Sequence, residues 1–479
     1  MKLSDICAGV ALQKTIGSLD RELSMLSQDT REELSDGALY IAVKGTQSDG
    51  HDYIGQAIEQ GAQAIVCQEL PAELDSQVTY LVVEDSQAAV GQLASNFYGN
   101  PSSKIKVIGV TGTNGKTSVA TSLYQALTYL GEKTALFSTV ENIIAAEHLA
   151  TEHTTGNPIE IHKNIAKAVG ASCSYLCMEV SSHALDQHRV DALDFDIAIF
   201  TNLTQDHLDY HKTMEAYADA KKKFFDMLKE GRIALVNRDS EYAEHMVRDT
   251  KAKVIGYGTT VTDYQITKVN QGSEGQTFEV SSTPIAIKQL GNFNVLNMTA
   301  VYASLIELGF KQANVIESLL QVSGAKGRLE MIKGEGDIRA IVDYAHTPDA
   351  LENVLETLND IPHRKILTVF GCGGDRDRGK RALMAQVAER LSDIVVVTSD
   401  NPRTEDPKQI FEDIEQGFTK SSSGHAVIED REEAIRRSIA IAKEGDIILV
   451  AGKGHEDYQI IGTEKRHFSD YEVLKKYLS

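Results

Sequence analysis

The sequence predicts an α/β chain of three domains, with a central parallel sheet of the P-loop ATPase type and a Rossmann-like C-terminal domain. Three observations predict it. β-branched apolar runs alternate with amphipathic helical stretches along the whole chain, as βαβ units require. A strand, a glycine loop and a helix follow one another without a gap at residues 105–130, IKVIGVTGTNGKTSVATSLYQALTYL. The 479 residues exceed one ordinary core, and composition shifts near residues 98 and 326 divide them.

In the first stretch, 1–98, LYIAVKG (39–45) and AQAIVCQ (62–68) read as strands, and DYIGQAIEQG (52–61) as a helix ending at its glycine. FYGNPSSK (97–104) has the Asn-Pro and serines of a linker. The second stretch, 99–326, alternates strands and helices and predicts a parallel sheet. The third, 327–479, contains the strands RAIVDYA, KILTVFG, DIVVVTS and DIILVAG, separated by helices such as KRALMAQVAERL. There is no internal repeat and no low-complexity tract.

Composition excludes several classes. A formal net charge of −21 argues against a nucleic-acid surface, which needs a clustered basic face. No apolar run approaches the ~20 residues that span a bilayer, so no membrane insertion is expected. MKLSDICAGVALQKTIG at the N-terminus does not read as a secretory signal. Cys7, Cys67, Cys173, Cys177 and Cys372 are scattered and odd in number, which fits free thiols in a reducing, cytoplasmic compartment. Cys173 and Cys177 have no second pair with which to form a zinc site.

Chemistry begins at TGTNGKT (111–117). Thr111, Gly112, Thr113, Asn114, Gly115, Lys116, Thr117 and Ser118 lie between a buried strand and a helix start. There, backbone N–H groups and the helix N-terminus face phosphate. Lys116 supplies a point charge at the outer phosphates and Thr117 a hydroxyl for Mg2+. The usual first glycine of the pattern is replaced by Val110. This loop predicts ATP binding.

SYLCMEVSSHALDQHR (174–189) starts as an apolar strand ending at Glu179, where a carboxylate at a sheet's carboxyl edge suits a Mg2+ ligand; an ordinary strand-end acid is the alternative. His207 and His211 in TNLTQDHLDYH have i,i+4 spacing but no accompanying glutamate, so solvated histidines are expected from spacing alone. In MEAYADAKKKFFDML (214–228), helical spacing places Tyr217, Lys221, Phe224 or Phe225, and Leu228 on one stripe, leaving Lys222 and Lys223 off it. An ammonium on a buried face must be paired, modified or snorkelling.

Taken together with DTR (29–31), GTQSDGHDYI (45–54), TTGN (154–157), GNFNVLN (291–297), GRLE (327–330), DYAHTPDAL (343–351), FGCGGDRDRGKR (370–381), DNPRTEDP (400–407) and GKGHE (452–456), these motifs resemble the Mur ligase family over the whole chain. The likeness is to the branch that extends a UDP-N-acetylmuramoyl dipeptide by one amino acid.

The resemblance implies an ATP-dependent acid–amino-acid ligase of peptidoglycan precursor synthesis, expected to be a monomer. Its substrates are UDP-N-acetylmuramoyl-L-alanyl-D-glutamate and meso-2,6-diaminopimelate, joined through an acyl phosphate. It implies catalytic roles for Lys116, Glu179, His207 and Lys221. Lys221 is implied to be carboxylated to N6-carboxylysine and to hold a second Mg2+ with His207 and Glu179.

Asn297 is implied to contact adenine, Asp343 the ribose and Arg328 the phosphates. Thr30, Thr46 and Gln47 fall to the UDP moiety, and Thr154, Thr155, Ser181, Gln187 and Arg189 to the muramoyl dipeptide; TTGN departs from the commoner TTP. For the amino acid, Arg403 offers a guanidinium fork to a carboxylate. Arg376 could hold a carboxylate too, and Asp400, Asn401, Gly452 and Glu456 an ammonium. L-Lysine as the added amino acid is the near alternative. A folate-type polyglutamate ligase and a nucleotide-gated P-loop regulatory protein are more distant ones.

Overall fold

Three sheets carry the chain in order, each with apolar, buried strands at its centre and more exposed strands at its edges. The computed structural model describes residues 1–45, 48–149, 151, 153–272, 275–419 and 425–478. The first sheet has the order Leu12–Ile16, Thr79–Val83, Ala62–Cys67, Ala38–Ile41, Met25–Ser27. Its strands are parallel except Leu12–Ile16, which runs antiparallel to Thr79–Val83.

The central sheet has eleven strands. Its parallel heart is Thr134–Phe137, Tyr175–Glu179, Lys106–Thr111, Ile197–Phe200, Ile233–Asn237 and Lys253–Gly258, in that spatial order. Lys106–Thr111 is fully flanked, and apart from Lys106 every residue of that strand is buried. Such near-continuous apolar strands are expected where helices cover both faces. Two hydrophobic clusters do so, one through Leu123 and Val301 and the other through Phe195 and Phe224.

The edge of this sheet departs from the expected strand–helix alternation. Tyr264–Gly272, Gly275–Val280 and Thr283–Ile287 form an antiparallel meander with no helix between them. Gln276, Phe278 and Val280 are buried alternately with more exposed neighbours, a half-buried strand period. Ser281 and Ser282 both take left-handed backbone, φ +47° and +69°, as a two-residue hairpin turn demands. A second antiparallel pair, Asn142–Ile144 and Glu147–Leu149, closes the other edge.

The third sheet runs Glu330–Lys333, Arg339–Asp343, Ile447–Ala451, Ile366–Phe370, Ile394–Val397, His425–Val427. It is parallel apart from its first strand. The four long apolar runs named from sequence are its central strands. A hairpin, Tyr458–Ile461 with Glu464–His467, stands apart and pairs at Ile461 with Arg403. The carboxyl ends of the second and third sheets, at Thr111, Glu179 and Asp343, are where ligands gather in parallel α/β folds.

Candidate active site

The phosphate loop is held from behind by the strand end at residues 201–204. Thr201 Oγ1 donates to Asn114 O at 2.6 Å, and the Asn114 N–H donates to Asn202 Oδ1 at 2.9 Å. Gly115 sits at φ +86°, immediately before the helix Lys116–Tyr129, and an added Cβ would lie 2.6 Å from Asn297 Oδ1. Both its backbone and its neighbour require glycine. Lys116 Nζ folds onto the loop, donating to the Gly112 and Thr113 carbonyls at 2.9 and 2.8 Å. Burial lowers its pKa, with the Glu179 carboxylate opposing.

Glu179 ends its strand beside Val110, as its place in the sequence required. Its Oε1 accepts from the Thr139 N–H at 2.7 Å and its Oε2 from Thr139 Oγ1 at 3.1 Å. Lys221 is 1% exposed on the helix Met214–Asp226, with Tyr217, Phe224 and Phe225 buried on the same stripe. Its Nζ donates to Gly112 O at 2.9 Å and lies 4.7 Å from the centre of the Tyr217 ring. Burial, then the charge of Lys116, drives its pKa well below the usual lysine value. Among the described residues no carboxylate is hydrogen-bonded to it, so nothing offsets that burial at close range.

His207 takes left-handed backbone at φ +54° and caps the short helix Leu208–His211. Burial pushes its pKa down to about 4, leaving a neutral imidazole. His211 is not solvated, contrary to what its spacing led us to expect. It is buried, stacks on Tyr217 at 5.2 Å, and meets Ser182 Oγ through Nε2 at 3.0 Å. The i,i+4 spacing placed it against the aromatic stripe instead of beside His207 in water.

Three cavities meet here. The first, about 360 Å³, is lined by residues 113–118 of the loop, Thr154, Thr155, Glu179, Ser181, Arg189, His207, Lys221 and Arg328. Gln187 stands behind it, its Oε1 accepting from Arg189 Nη2 at 2.6 Å, while Arg189 Nη1 donates to Thr155 O at 2.8 Å. The second, about 250 Å³, is lined by Asn114, Gly115, Ser118, Phe293, Asn297, Arg328 and Asp343. Asp343 Oδ2 accepts from the Leu329 N–H and Oδ1 from the Ala345 N–H, at 2.7 and 2.8 Å. Arg328 bridges the sheets, its Nη2 3.3 Å from Thr117 Oγ1 and its guanidinium 4.4 Å from the Tyr344 ring centre.

The third cavity, about 590 Å³, gathers Arg376, Asp400, Asn401, Arg403, Gly452 and Glu456. Sequence reasoning missed a resident here. Lys453, fully buried, donates through Nζ to Glu456 Oε2 at 2.9 Å and to Asn401 Oδ1 at 3.2 Å, with Asp400 Oδ1 3.7 Å away. The acidic groups expected to face a ligand ammonium thus already share one. The lysine three residues before the glutamate of GKGHE was the available signal. Tyr344 and His346 were missed as well, and both line all three cavities.

Thr30 lies apart from these cavities, its Oγ1 3.4 Å from Gln56 Oε1. Thr46 and Gln47 lie outside the described residues. Among the described residues no three His, Cys, Asp or Glu side chains meet as a metal centre. The first cavity instead has both the Thr117 hydroxyl and the Glu179 carboxylate in its lining, hard oxygens of the kind suited to Mg2+ that keeps water or phosphate as its other ligands.

Models of three Mur ligase units match the chain. The family's catalytic domain matches residues 27–98, its middle domain 110–305, and its glutamate ligase domain 327–454. Among similar proteins is the UDP-N-acetylmuramoyl-L-alanyl-D-glutamate–2,6-diaminopimelate ligase of Phocaeicola vulgatus, 46% identical over 479 residues and 99% of each chain. The ligase of the same name from Bacteroides fragilis is 46% identical over 483 residues, covering 100% of this chain and 99% of its own. A solved structure under that name superposes with a TM-score of 0.71 at 31% identity, covering 100% of this chain and 98% of the other.

Proposed function

The chain belongs to the Mur ligase family, and from that premise we propose that it joins meso-2,6-diaminopimelate to the D-glutamate of UDP-N-acetylmuramoyl-L-alanyl-D-glutamate, consuming ATP, in peptidoglycan precursor synthesis. The observation that carries this reading is the shared wall of two cavities. His183, Asp206, His207, Tyr344 and His346 line both the cavity of the phosphate loop and that of Arg376 and Arg403. A phosphorylated carboxylate made in the first would face an amine held in the second across those shared residues.

The reaction takes two displacements. A D-glutamyl carboxylate oxygen attacks the γ-phosphorus, the bond to the β-phosphate oxygen breaks, and ADP leaves. The amine nitrogen then attacks the acyl carbon, the C–O bond to phosphate breaks, and phosphate departs as the amine loses its proton. Three anions must be brought close, so positioning and charge are the catalytic tasks.

Lys116 would leave the loop carbonyls for the outer phosphates. Mg2+ would supply further positive charge, held by Thr117 and Glu179. Asn297 would meet adenine, Asp343 the ribose and Arg328 the phosphates. Thr154, Thr155, Ser181, Gln187 and Arg189 would hold the muramoyl dipeptide, and Thr30, Thr46 and Gln47 the UDP end.

Lys221 would be the carboxylated residue, since only a neutral amine adds CO2 and burial drives this amine's pKa well below the usual lysine value. The carbamate would place an anion near neutral His207 and Glu179, a second set for Mg2+. Arg403 and Arg376 would take the far carboxylate of diaminopimelate. Asp400, Asn401, Gly452 and Glu456, with Lys453 balancing their charge, would orient its ammonium.

We assign domains at 1–98, 99–326 and 327–479, a division the three sheets support, with the Arg328 bridge made as the third closes on the second. A monomer in the cytoplasm is the setting we assign; five buried, unpaired thiols fit a reducing compartment.

Phosphate release with ATP, Mg2+ and UDP-N-acetylmuramoyl-L-alanyl-D-glutamate, run in parallel with meso-diaminopimelate and with L-lysine, tests the reading. Turnover with diaminopimelate is expected. Turnover with lysine alone would overturn the assignment of Arg403, and turnover with neither would overturn the reaction.

A further inference from the structure

The two loops that carry Arg376 and Arg403 are joined around one arginine that faces neither solvent nor cavity. Arg381, on the helix Gly379–Leu391, is 0% exposed. Its Nη1 donates to Glu405 Oε1 and to Asp413 Oδ2, both at 2.8 Å. Its Nη2 donates to Glu405 Oε2 at 2.7 Å and to Gly373 O at 3.3 Å. The guanidinium therefore grips Glu405 with both arms and the backbone of the opposite loop with one of them.

Glu405 passes the connection on, its Oε2 accepting from the Asp375 N–H at 3.1 Å. Asp375 Oδ2 returns it, accepting from the Thr404 N–H and Oγ1 at 3.1 and 2.9 Å. Gly374 N donates to Asn401 O at 2.9 Å, and Arg403 Nη1 donates to Gly374 O at 2.9 Å. A Cβ on Gly374 would run into Pro402 O. Asp375 and Arg403 both take left-handed backbone, φ +55° and +54°, which an aspartate tolerates and an arginine rarely adopts without surrounding constraint.

Stability alone is a poor account of this arrangement, since a buried ion pair often contributes no more than apolar side chains of the same volume. What a bidentate fork supplies beyond apolar packing is a fixed distance and plane. Here the fixed quantity is the separation of the two loops, and with it where the Arg403 guanidinium stands relative to Arg376.

We propose that the Arg381–Glu405 pair is a positioning device for amino-acid selectivity. It holds the Arg376 and Arg403 loops at the spacing that accepts a side chain ending in both a carboxylate and an ammonium, over one ending in an ammonium alone. The inference rests on the reading of that cavity as the amino-acid site. Neither Arg381 nor Glu405 touches substrate; both act through Arg403.

The test uses the full-length enzyme with Glu405→Gln, which keeps the shape but breaks the two-armed grip, and Arg381→Lys, which keeps the charge but loses the fork. Expected for each is a KM for meso-diaminopimelate raised about tenfold or more, the effect of one lost charge-assisted contact. The KM for ATP should stay within about twofold, and the rate with L-lysine relative to diaminopimelate should rise. On an Arg403→Ala background, Glu405→Gln should add little, because the route to the ligand is already cut.

A folded variant whose two amino-acid KM values and their ratio match wild type would overturn the proposal. So would an equal loss for both amino acids and ATP with a lowered melting temperature, the signature of a purely structural staple. Should Arg381→Lys fail to fold, the softer Glu405→Gln decides. Wild-type enzyme that turns over neither amino acid would instead refute the reading of the site itself.

Discussion

Asn114 of the phosphate loop donates through Nδ2 to Asp349 Oδ2 at 3.0 Å, joining residues 235 positions apart, one beside the second sheet and one on a helix of the third. Thr204 Oγ1 approaches the same oxygen at 3.4 Å. Asp349 lies in the first turn of the helix Pro348–Asn359, where the helix dipole favours an anion. The loop that would cradle phosphate is thereby tied to the third sheet before any ligand arrives. Asp349→Ala should release it. A hydrogen bond to a charged group is worth about 1.5–3 kcal/mol, so kcat/KM for phosphate release should fall roughly ten- to hundredfold. Small-angle scattering with a non-hydrolysable ATP analogue should show a more open particle. Unchanged kinetics and scattering would remove the tie from the mechanism.

Lys221→Ala should abolish phosphate release. Partial recovery is expected when a short carboxylic acid is added, since it can enter the vacated space and supply the missing anion. Loss without recovery by any such acid would leave Lys221 a purely structural residue. Full retention of activity would sink its role.

Gly115→Ala is expected to weaken ATP binding at least tenfold while the chain stays folded. The new methyl must both adopt left-handed backbone, a strain of about 1–3 kcal/mol, and displace the Asn297 side chain. Titration calorimetry with an ATP analogue and far-UV circular dichroism separate the two effects. Native affinity would show that neither the backbone strain nor the Asn297 contact limits nucleotide binding.

His162 lies in the core on the helix Pro158–Gly170, fully buried, with neither ring nitrogen bonded to a partner. Burial lowers its pKa to about 4. Below the unfolded value of about 6.5, the unfolded chain takes up a proton that the folded chain refuses. Stability therefore falls as pH falls from about 6.5 to about 4, by up to about 1.4 kcal/mol per pH unit. Above pH 6.5 this residue gives no slope. His162→Leu should flatten the acid limb by one proton's worth, read from thermal unfolding at pH 8 and pH 5. An identical pH dependence in wild type and variant would contradict the assignment.

The parts of the site that were legible in sequence are those in which local pattern and chemistry coincide. TGTNGKT follows a β-branched run and opens a helix, so its strand, turn and helix were fixed by neighbours within a dozen residues. Lys221 announced itself because one lysine fell on an aromatic stripe and its two neighbours did not. His211 was misjudged since i,i+4 spacing says nothing of which way the short helix faces, and Tyr217 decides that. The meander at 264–287 hid behind alternation that a parallel fold can also show at an edge. Lys453, Asp349 and Arg381 owe their places to partners 24 to 235 residues distant, contacts that only the assembled sheets create.

Tyr344 and His346 form part of the wall of all three cavities. A ligand that shifts this wall alters the affinity of the other two, and by thermodynamic reciprocity each of those alters its own to the same degree. The three binding equilibria are then one coupled system. On the proposed function, reshaping the cavity of Arg376 and Arg403 for a different nucleophile would retune nucleotide affinity at the same time, unless the change is kept to the side of those two arginines, away from the common partition.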